Sequence, residues 1–317
     1  MLPMLCSGRG RLLGWCAATL LLAAACVLST PGCNRAETPV FSVDSTVVHI
    51  DRQLAFGPRV AGSAARDSCA RYIANTLKRY GARVTVQPFE VKDPYGDRTI
   101  RMMNIVGSFG ASGKKRLMLC SHYDSRPWAD QEKDSTLWNT PILGAVDGAT
   151  STAILLEMAR LAGERTPDIG LDVVFFDGED YGKERDIDYY LLGSRHFAAN
   201  LEGYRPAAAV LLDMVGGVGT TARREGTSDD RSRAFMDYVF GRAKALDLRY
   251  FETAPGVPMI DDHVPLLQAG IEAIDLFGYD FGPWHTLKDD GTAVDKAKVE
   301  EVGILLRDLV YNFKYPK

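Results

Sequence analysis

The sequence predicts an α/β fold, a three-layer sandwich with a central mixed, mostly parallel twisted sheet flanked by helices. Three observations predict it. Four short apolar runs, "RLMLC" (116–120), "LDVVFF" (171–176), "AAAVLLD" (207–213) and "IEAIDLF" (271–277), have no regular polar face. Amphipathic helical stretches occur at 148–163, 233–246 and 297–313. Strands apolar on both faces, interleaved with helices, belong to a parallel sheet covered on both sides. No repeat or linker divides the chain, so 46–317 is expected to be a single catalytic domain.

The N-terminal stretch is expected to lie outside this fold. Arg9 and Arg11 precede an apolar run from Leu12 to Leu28, and small residues follow. That order matches a secretory signal peptide. A membrane anchor is the rival, because the run is nearly long enough to span. Gly32-Cys33 followed by a polar segment resembles a bacterial lipoprotein signal. The expectation is therefore cleavage of 1–32, lipidation of Cys33 (with Cys26 the second candidate) and a tether over 33–45. The chain would be exported and held by its lipid in a bacterial membrane facing the periplasm, with Asn34 favouring the outer membrane.

Residues 41–81 read as helical. Cys69, Tyr72, Ile73, Leu77 and Tyr80 recur at helical spacing, and Gly81 is a stop. "ARVTVQPFEV" (82–91) alternates and reads as a strand. The Gly-rich stretch 216–230 reads as a surface loop.

Composition excludes several function classes. With 46% hydrophobic and 25% charged residues the chain is globular rather than disordered. Its net charge of −4 becomes more negative once Arg9 and Arg11 leave, so nothing draws it generically to nucleic acid or anionic lipid. Of six cysteines, Cys6, Cys16 and Cys26 leave with the signal and Cys33 takes the lipid. Cys69 and Cys120 remain and could form one disulfide, which does not make a disulfide scaffold.

The ligand site of an open α/β sheet lies beyond the carboxyl ends of its strands. Each apolar run ends there in polar chemistry. "RLMLC" leads to His122 and Asp124, "LDVVFF" to Asp177, Glu179 and Asp180, and "AAAVLLD" ends on Asp213. "IEAIDLF" leads to Trp284 and His285, and Asp147 sits between glycines at the start of a helix. These segments show carboxylates and imidazoles with no basic side chain to neutralise them, a pattern that calls for a metal. Oxygen and nitrogen donors suit Zn²⁺. Singly each residue has an ordinary reading: His122 as a hydrogen-bonded core histidine, Asp147 as a helix cap, Asp177 as a turn former. His49 and His196 read as structural. Ser–His pairs occur in "SHYDS" and "GSRH", but no G-x-S-x-G elbow is present, which disfavours a serine hydrolase. It is the agreement of four strand ends that carries the metal reading.

Taken in order, "SHYDS", "GAVDGAT", "FFDGEDYG", "LLGSRHFA", "LLDMVG", "DDHVPLL" and "PWHT" resemble the zinc-dependent glutaminyl cyclases, in particular their exported bacterial members. Upstream, "FGPRVAGSAARDSCARYI" (56–73) extends the likeness. The resemblance implies the fold of the zinc aminopeptidases and one zinc on Asp147, Asp180 and His285. It implies Glu179 as general acid/base, Asp213 and Asp261 as a carboxylate pair sharing a proton, and Trp284 in the pocket wall. The implied reaction turns an N-terminal glutamine of a peptide or exported protein into pyroglutamate with loss of ammonia; a monomer is expected. The cyclase pattern has two glutamates where this chain has Glu179-Asp180. A tryptophan of the animal enzymes is missing before "GSRH", and Tyr189, Tyr190, Trp128 or Trp138 could replace it. Aminopeptidases of the same fold use a second zinc, for which His122, Asp147 and Asp213 supply the right residue types. That activity is the alternative. A non-catalytic binding ectodomain is a third reading, disfavoured because the candidate ligands and Glu179 are all present.

Overall fold

A computed structural model describes residues 37–315, and from Thr38 onward these form one compact unit. The expected signal peptide, with Cys26 and Cys33, lies outside the described residues. In chain order the elements are α1 (Val43–Leu54), α2 (Ala64–Arg79), β1 (Arg83–Lys92), β2 (Thr99–Phe109), β3 (Arg116–His122), α3 (Ser151–Glu164), β4 (Gly170–Phe176), α4 (Leu192–Ala199), β5 (Ala208–Asp213), β6 (Thr221–Arg224), α5 (Gly226–Arg231), α6 (Arg233–Ala245), β7 (Phe251–Pro255), α7 (His263–Gln268), β8 (Ala273–Tyr279) and α8 (Lys296–Tyr311).

The strands form one sheet in the order β1-β2-β4-β3-β5-β8-β6-β7. The four apolar runs are its centre: β4, β3, β5 and β8 lie side by side and parallel. β1 and β2 add antiparallel pairings at one end, and β6 runs antiparallel to β8 at the other. Every residue of β4, β5 and β8 is buried, whereas the edge strand β1 is largely exposed. Pro88 is tolerated in β1 because an edge strand has a side without ladder bonds.

Alternate residues of the central strands feed opposite layers. Leu117, Leu119, Val173, Val210 and Ile274 pack with side chains of α2, α3, α6 and α8. Met118, Cys120, Val174, Phe176 and Leu211 pack with Phe197 of α4 and Leu266 of α7. This gives the three layers, and each fully buried Leu, Val or Phe contributes about 1.5–3 kcal/mol. It also settles the cysteines. Cys69 and Cys120 belong to clusters on opposite faces of the sheet, and both are free and buried.

Three expectations need correction, and one strand was not foreseen. The helical stretch 41–81 is two helices, because Gly57 (φ +83°) and Pro58 stop the chain and Ser63 caps α2 by accepting the Arg66 N–H (3.1 Å). Helix α1 starts inside the expected 33–45 tether, where Ser42 caps it and Arg307 and Arg160 donate to the carbonyls of Thr38 and Val40. The Gly-rich stretch 216–230 holds β6 and α5 rather than only a loop. Strand β2 interrupts its apolar pattern with Asn104, which is buried because its amide reaches Gln87 and the Gly193 carbonyl.

His49 and His196 are structural, as expected. His196 stacks on Phe89 at 4.6 Å. His49 is buried between the hydroxyls of Tyr72 (2.6 Å) and Tyr80 (3.2 Å), and burial lowers its pKa from 6.5 to about 4. Because the folded pKa is the lower one, the unfolded chain takes up the proton first, and stability is lost as pH falls from 6.5 towards 4. Denaturant unfolding at about pH 7 and about pH 5 should therefore show His49→Gln losing less stability than the wild type over that interval, by about 2 kcal/mol. Equal losses in the two proteins would contradict this role.

Candidate metal centre

The carboxyl ends of the four central strands converge, and the local chain explains how each donor is held. β3 ends on His122, whose ring is buried against the turn 145–150 that precedes α3. That turn contains Asp147 (φ −89°, ψ 85°) and Gly148 (φ +118°). A Cβ on Gly148 would stand 2.6 Å from the His122 ring, so only glycine lets the imidazole lie beside Asp147. Asp289 ties the turn from the far side by accepting the N–H of Val146 (2.8 Å) and Asp147 (3.2 Å). Burial, and then the nearby Asp147 charge, push Asp289 up to about 8.

Beyond β4 the chain turns at Gly178 (φ +72°) and presents Glu179 and Asp180. Their backbone is held by the buried carboxylate of Asp124, which accepts both amides, from Glu179 at 3.1 Å and Asp180 at 3.3 Å. Asp177 is not the simple turn former expected. It is buried, accepts the Met103 N–H (2.8 Å) and faces Arg66 at 3.2 Å, which anchors the end of β4 to β2 and α2. Asp213 closes β5, accepting its neighbour's N–H from Met214 (2.9 Å). Asp261 lies buried just before α7, and Trp284 and His285 follow β8.

The donors fall into two groups that share Asp147. In one, the His285 Nε2 lies 3.6 Å from Asp147 Oδ2 and 3.5 Å from Asp180 Oδ2. In the other, the His122 Nε2 lies 3.2 Å from both Asp147 Oδ1 and Asp213 Oδ1. The two differ at the atoms that face one another. Asp180 Oδ2 is buried and has no hydrogen-bond partner, while His122 and Asp213 already bond to each other. An orphaned carboxylate oxygen facing an imidazole nitrogen and a second carboxylate is what a Zn²⁺ ligand set looks like, and the donors fit that ion.

The expectation that no basic side chain serves these segments is wrong. Arg126, four residues after His122 and fully buried, bonds Asp180 Oδ1 at 2.5 Å. Even so, negative charge is in excess. Burial and the adjacent Asp180 carboxylate hold Glu179 well above the usual carboxylate range. Burial and Asp213 push Asp261 up to about 7. Burial raises Asp180 to about 6 although Arg126 and His285 oppose it. A bound cation would relieve all three, and it would let the adjacent carboxylates of Glu179 and Asp180 coexist here.

These groups open on a pocket of about 110 Å³ whose wall includes Glu179, Asp213, Asp261, Tyr190, Ile260 and Trp284. Trp284 is 41% exposed and packs on His285, ring centroids 3.9 Å apart. Of the aromatic candidates, Tyr190 is in the wall. Trp128 is instead covered by Lys183 (4.5 Å), Tyr189 packs on Tyr95, and Trp138 is an exposed residue bonded to the Glu132 carbonyl. His122 lies beneath the pocket beside Asp213. Sequence reading missed the supporting roles of Asp124, Arg126, Asp130 and Asp289. For the first two the signal was their place in "SHYDSR"; for Asp130 and Asp289 there was none.

Similarity to known proteins agrees with this geometry. Residues 104–310 match peptidase family M28. A glutaminyl cyclase structure from Tannerella forsythia is 38% identical, with a TM-score of 0.83, covering 87% of this chain and all of its own. A leucine aminopeptidase precursor structure from Bacteroides thetaiotaomicron is 35% identical, with a TM-score of 0.84, covering 88% of this chain and 99% of its own. The bovine glutaminyl-peptide cyclotransferase is 25% identical over 80% of this chain and 78% of its own length. On the family match, the sheet and the convergent donors together, the chain belongs to peptidase family M28, with the zinc-aminopeptidase-like fold of the bacterial glutaminyl cyclases.

Proposed function

We propose that the protein is a glutaminyl-peptide cyclotransferase, converting an N-terminal glutamine to pyroglutamate with release of ammonia at a single zinc. One observation carries the reading: the Asp180 oxygen facing Asp147 and His285 is orphaned, which supports a metal there, with Glu179 beside it and the Asp213–Asp261 pair across a small pocket. The likeness to glutaminyl cyclases supports it.

Asp147, Asp180 and His285 would hold the ion. When bound it supplies a Lewis acid for the side-chain amide carbonyl. Glu179, held well above the usual range by burial and Asp180, suits a group that must take and return a proton. It receives the proton that the α-amino nitrogen loses as that nitrogen bonds to the side-chain carbonyl carbon. It returns the proton to the departing nitrogen as the carbon–nitrogen bond breaks and ammonia leaves. Asp213 and Asp261 would hold the substrate amine and amide in register, and Trp284 and Tyr190 would cover the ring as it closes. No water needs to attack, because the nucleophile is already in the substrate, and that proximity lowers the barrier.

Aminopeptidase activity is the second reading, favoured by the His122–Asp147–Asp213 group and by the leucine aminopeptidase precursor likeness. It is weaker because a proton on His122 Nε2 satisfies that group without a second ion. The signal-like N-terminus supports an exported lipoprotein, anchored through Cys33 and facing the periplasm, that acts on glutaminyl peptides or exported proteins.

Two outcomes are expected. Residues 34–317 loaded with zinc should release ammonia from a peptide beginning Gln-Phe and leave one beginning Leu-Phe intact, as read by mass spectrometry. Free leucine would establish the aminopeptidase and move Asp213 to a second zinc, and no change in either peptide despite zinc binding would refute the substrate class. Separately, Glu179→Gln should lower kcat by about 10²–10⁴-fold while zinc still binds.

A further inference from the structure

The segment that follows β3 grips two of the candidate metal ligands at once. The guanidinium of Arg126 is fully buried and forks between two carboxylates. Its Nε and Nη2 donate to the two oxygens of Asp130, at 3.0 and 2.5 Å, and its Nη1 donates to Asp180 Oδ1. Nη2 also reaches the Tyr190 hydroxyl, at 3.0 Å, in the pocket wall. Asp130 Oδ1 in turn faces the Nδ1 of His285 at 3.4 Å. Asp180, Arg126, Asp130 and His285 are therefore one continuous chain of contacts.

Each link has a consequence for the donor atom at its end. A carboxylate beside Nδ1 keeps the proton on that nitrogen, which leaves Nε2, the atom nearest Asp147 and Asp180, free to ligate. Arg126 occupies one oxygen of Asp180 and leaves the other, Oδ2, buried and unpartnered. Both donor atoms are thus selected by the far side of their own side chains. A lysine at 126 could not do this, because one ammonium lacks the planar fork that serves both carboxylates.

The backbone tells the same story. His285 is a non-glycine residue at φ +53°, a strained conformation that persists where surroundings impose it. The same segment imposes it. The Gln131 N–H donates to the His285 carbonyl (3.2 Å), and the Glu132 carboxylate accepts the Leu287 N–H (2.9 Å). So residues 126–132 fix the histidine by its ring and by the turn that carries it.

We infer that Arg126 and Asp130 are positioning residues of the metal centre, a buried ion pair that sets the orientation of Asp180 and His285 and thereby the affinity for the ion. This rests on the metal position of the proposed function but not on the identity of the substrate. The plain competitor is an ion pair that only supports the fold, and it makes different predictions.

The test uses the purified chain, Asp130→Asn and, as an independent second variant, Arg126→Lys. Three quantities are read: Zn²⁺ affinity by competition with a chromophoric chelator, the visible absorption of the Co²⁺-loaded protein, and the unfolding temperature without metal. Asp130→Asn should bind Zn²⁺ about 10–100-fold more weakly, with an altered Co²⁺ spectrum. Arg126→Lys should shift both in the same direction. Wild-type affinity and an unchanged Co²⁺ spectrum in the folded variants, with only the metal-free unfolding temperature lowered, would overturn the inference. If the wild type binds Zn²⁺ yet does not cyclise a glutaminyl peptide, the functional reading fails and the positioning role stands. A wild type that takes up no Zn²⁺ would overturn the metal reading and this inference with it.

Discussion

The structure is organised around a concentration of carboxylates that a protein interior would not ordinarily accept. Asp124, Asp147, Asp177, Asp180, Asp213, Asp261 and Asp289 are all buried at or beneath one end of the sheet. Removing such groups from water costs several kcal/mol each unless partners compensate. Several are compensated, each differently. Asp124 and Asp289 accept backbone amides and in doing so shape the two turns that carry donors. Asp177 faces Arg66, and Asp180 gives one oxygen to Arg126. Buried oxygens of Asp177, Asp180 and Asp261 still lack a hydrogen-bond partner, and that of Asp180 lies on the face shared with Asp147 and His285, where a cation fits.

Three arginines buried in the described residues work beneath this face. Arg59 donates to the carbonyls of Tyr123, Leu143 and Gly144, joining the end of β3 to the turn that carries Asp147. Arg66 secures the end of β4 through Asp177, and Arg126 the donor at Asp180. Loss of one partner of a buried pair typically costs about 3–5 kcal/mol, so these contacts join the folding of the domain to the assembly of its site. The Glu179-Asp180 pair shows the same coupling. Asp is a methylene shorter than Glu, and Asp124 holds the 179–180 backbone at the site by accepting both of its amides.

Much of this was legible in the sequence. The four apolar runs are the four central parallel strands because burial on both faces writes an unbroken apolar string. Their polar ends converge because parallel strands place all carboxyl ends on one edge, so a cluster of His, Asp and Glu calling for a metal could be expected before any coordinates, while the choice of Asp147, Asp180 and His285 among them came from the resemblance to the glutaminyl cyclases. Strands β2, β6 and β7 were not legible. β2 carries a polar Asn104 that is satisfied by partners distant in sequence, while β6 is short and only partly buried and β7 is short and largely exposed. Arg126 stood in plain sight and Asp130 four residues later, but their roles depend on Asp180 and His285, which sit 54 and 155 positions away from Arg126 and Asp130 respectively. Spacing along the chain carries no signal for such contacts.

The proposed function needs a cation at one position, not two: Asp180 Oδ2 is orphaned, whereas the His122 Nε2 already bonds Asp213 in the neighbouring group. Counting bound zinc by native mass spectrometry across a titration tests this most directly. A single tightly held ion per chain is expected, lost when His285 is replaced by alanine and retained when His122 is. Two ions of comparable affinity, one of them lost with His122, would contradict it.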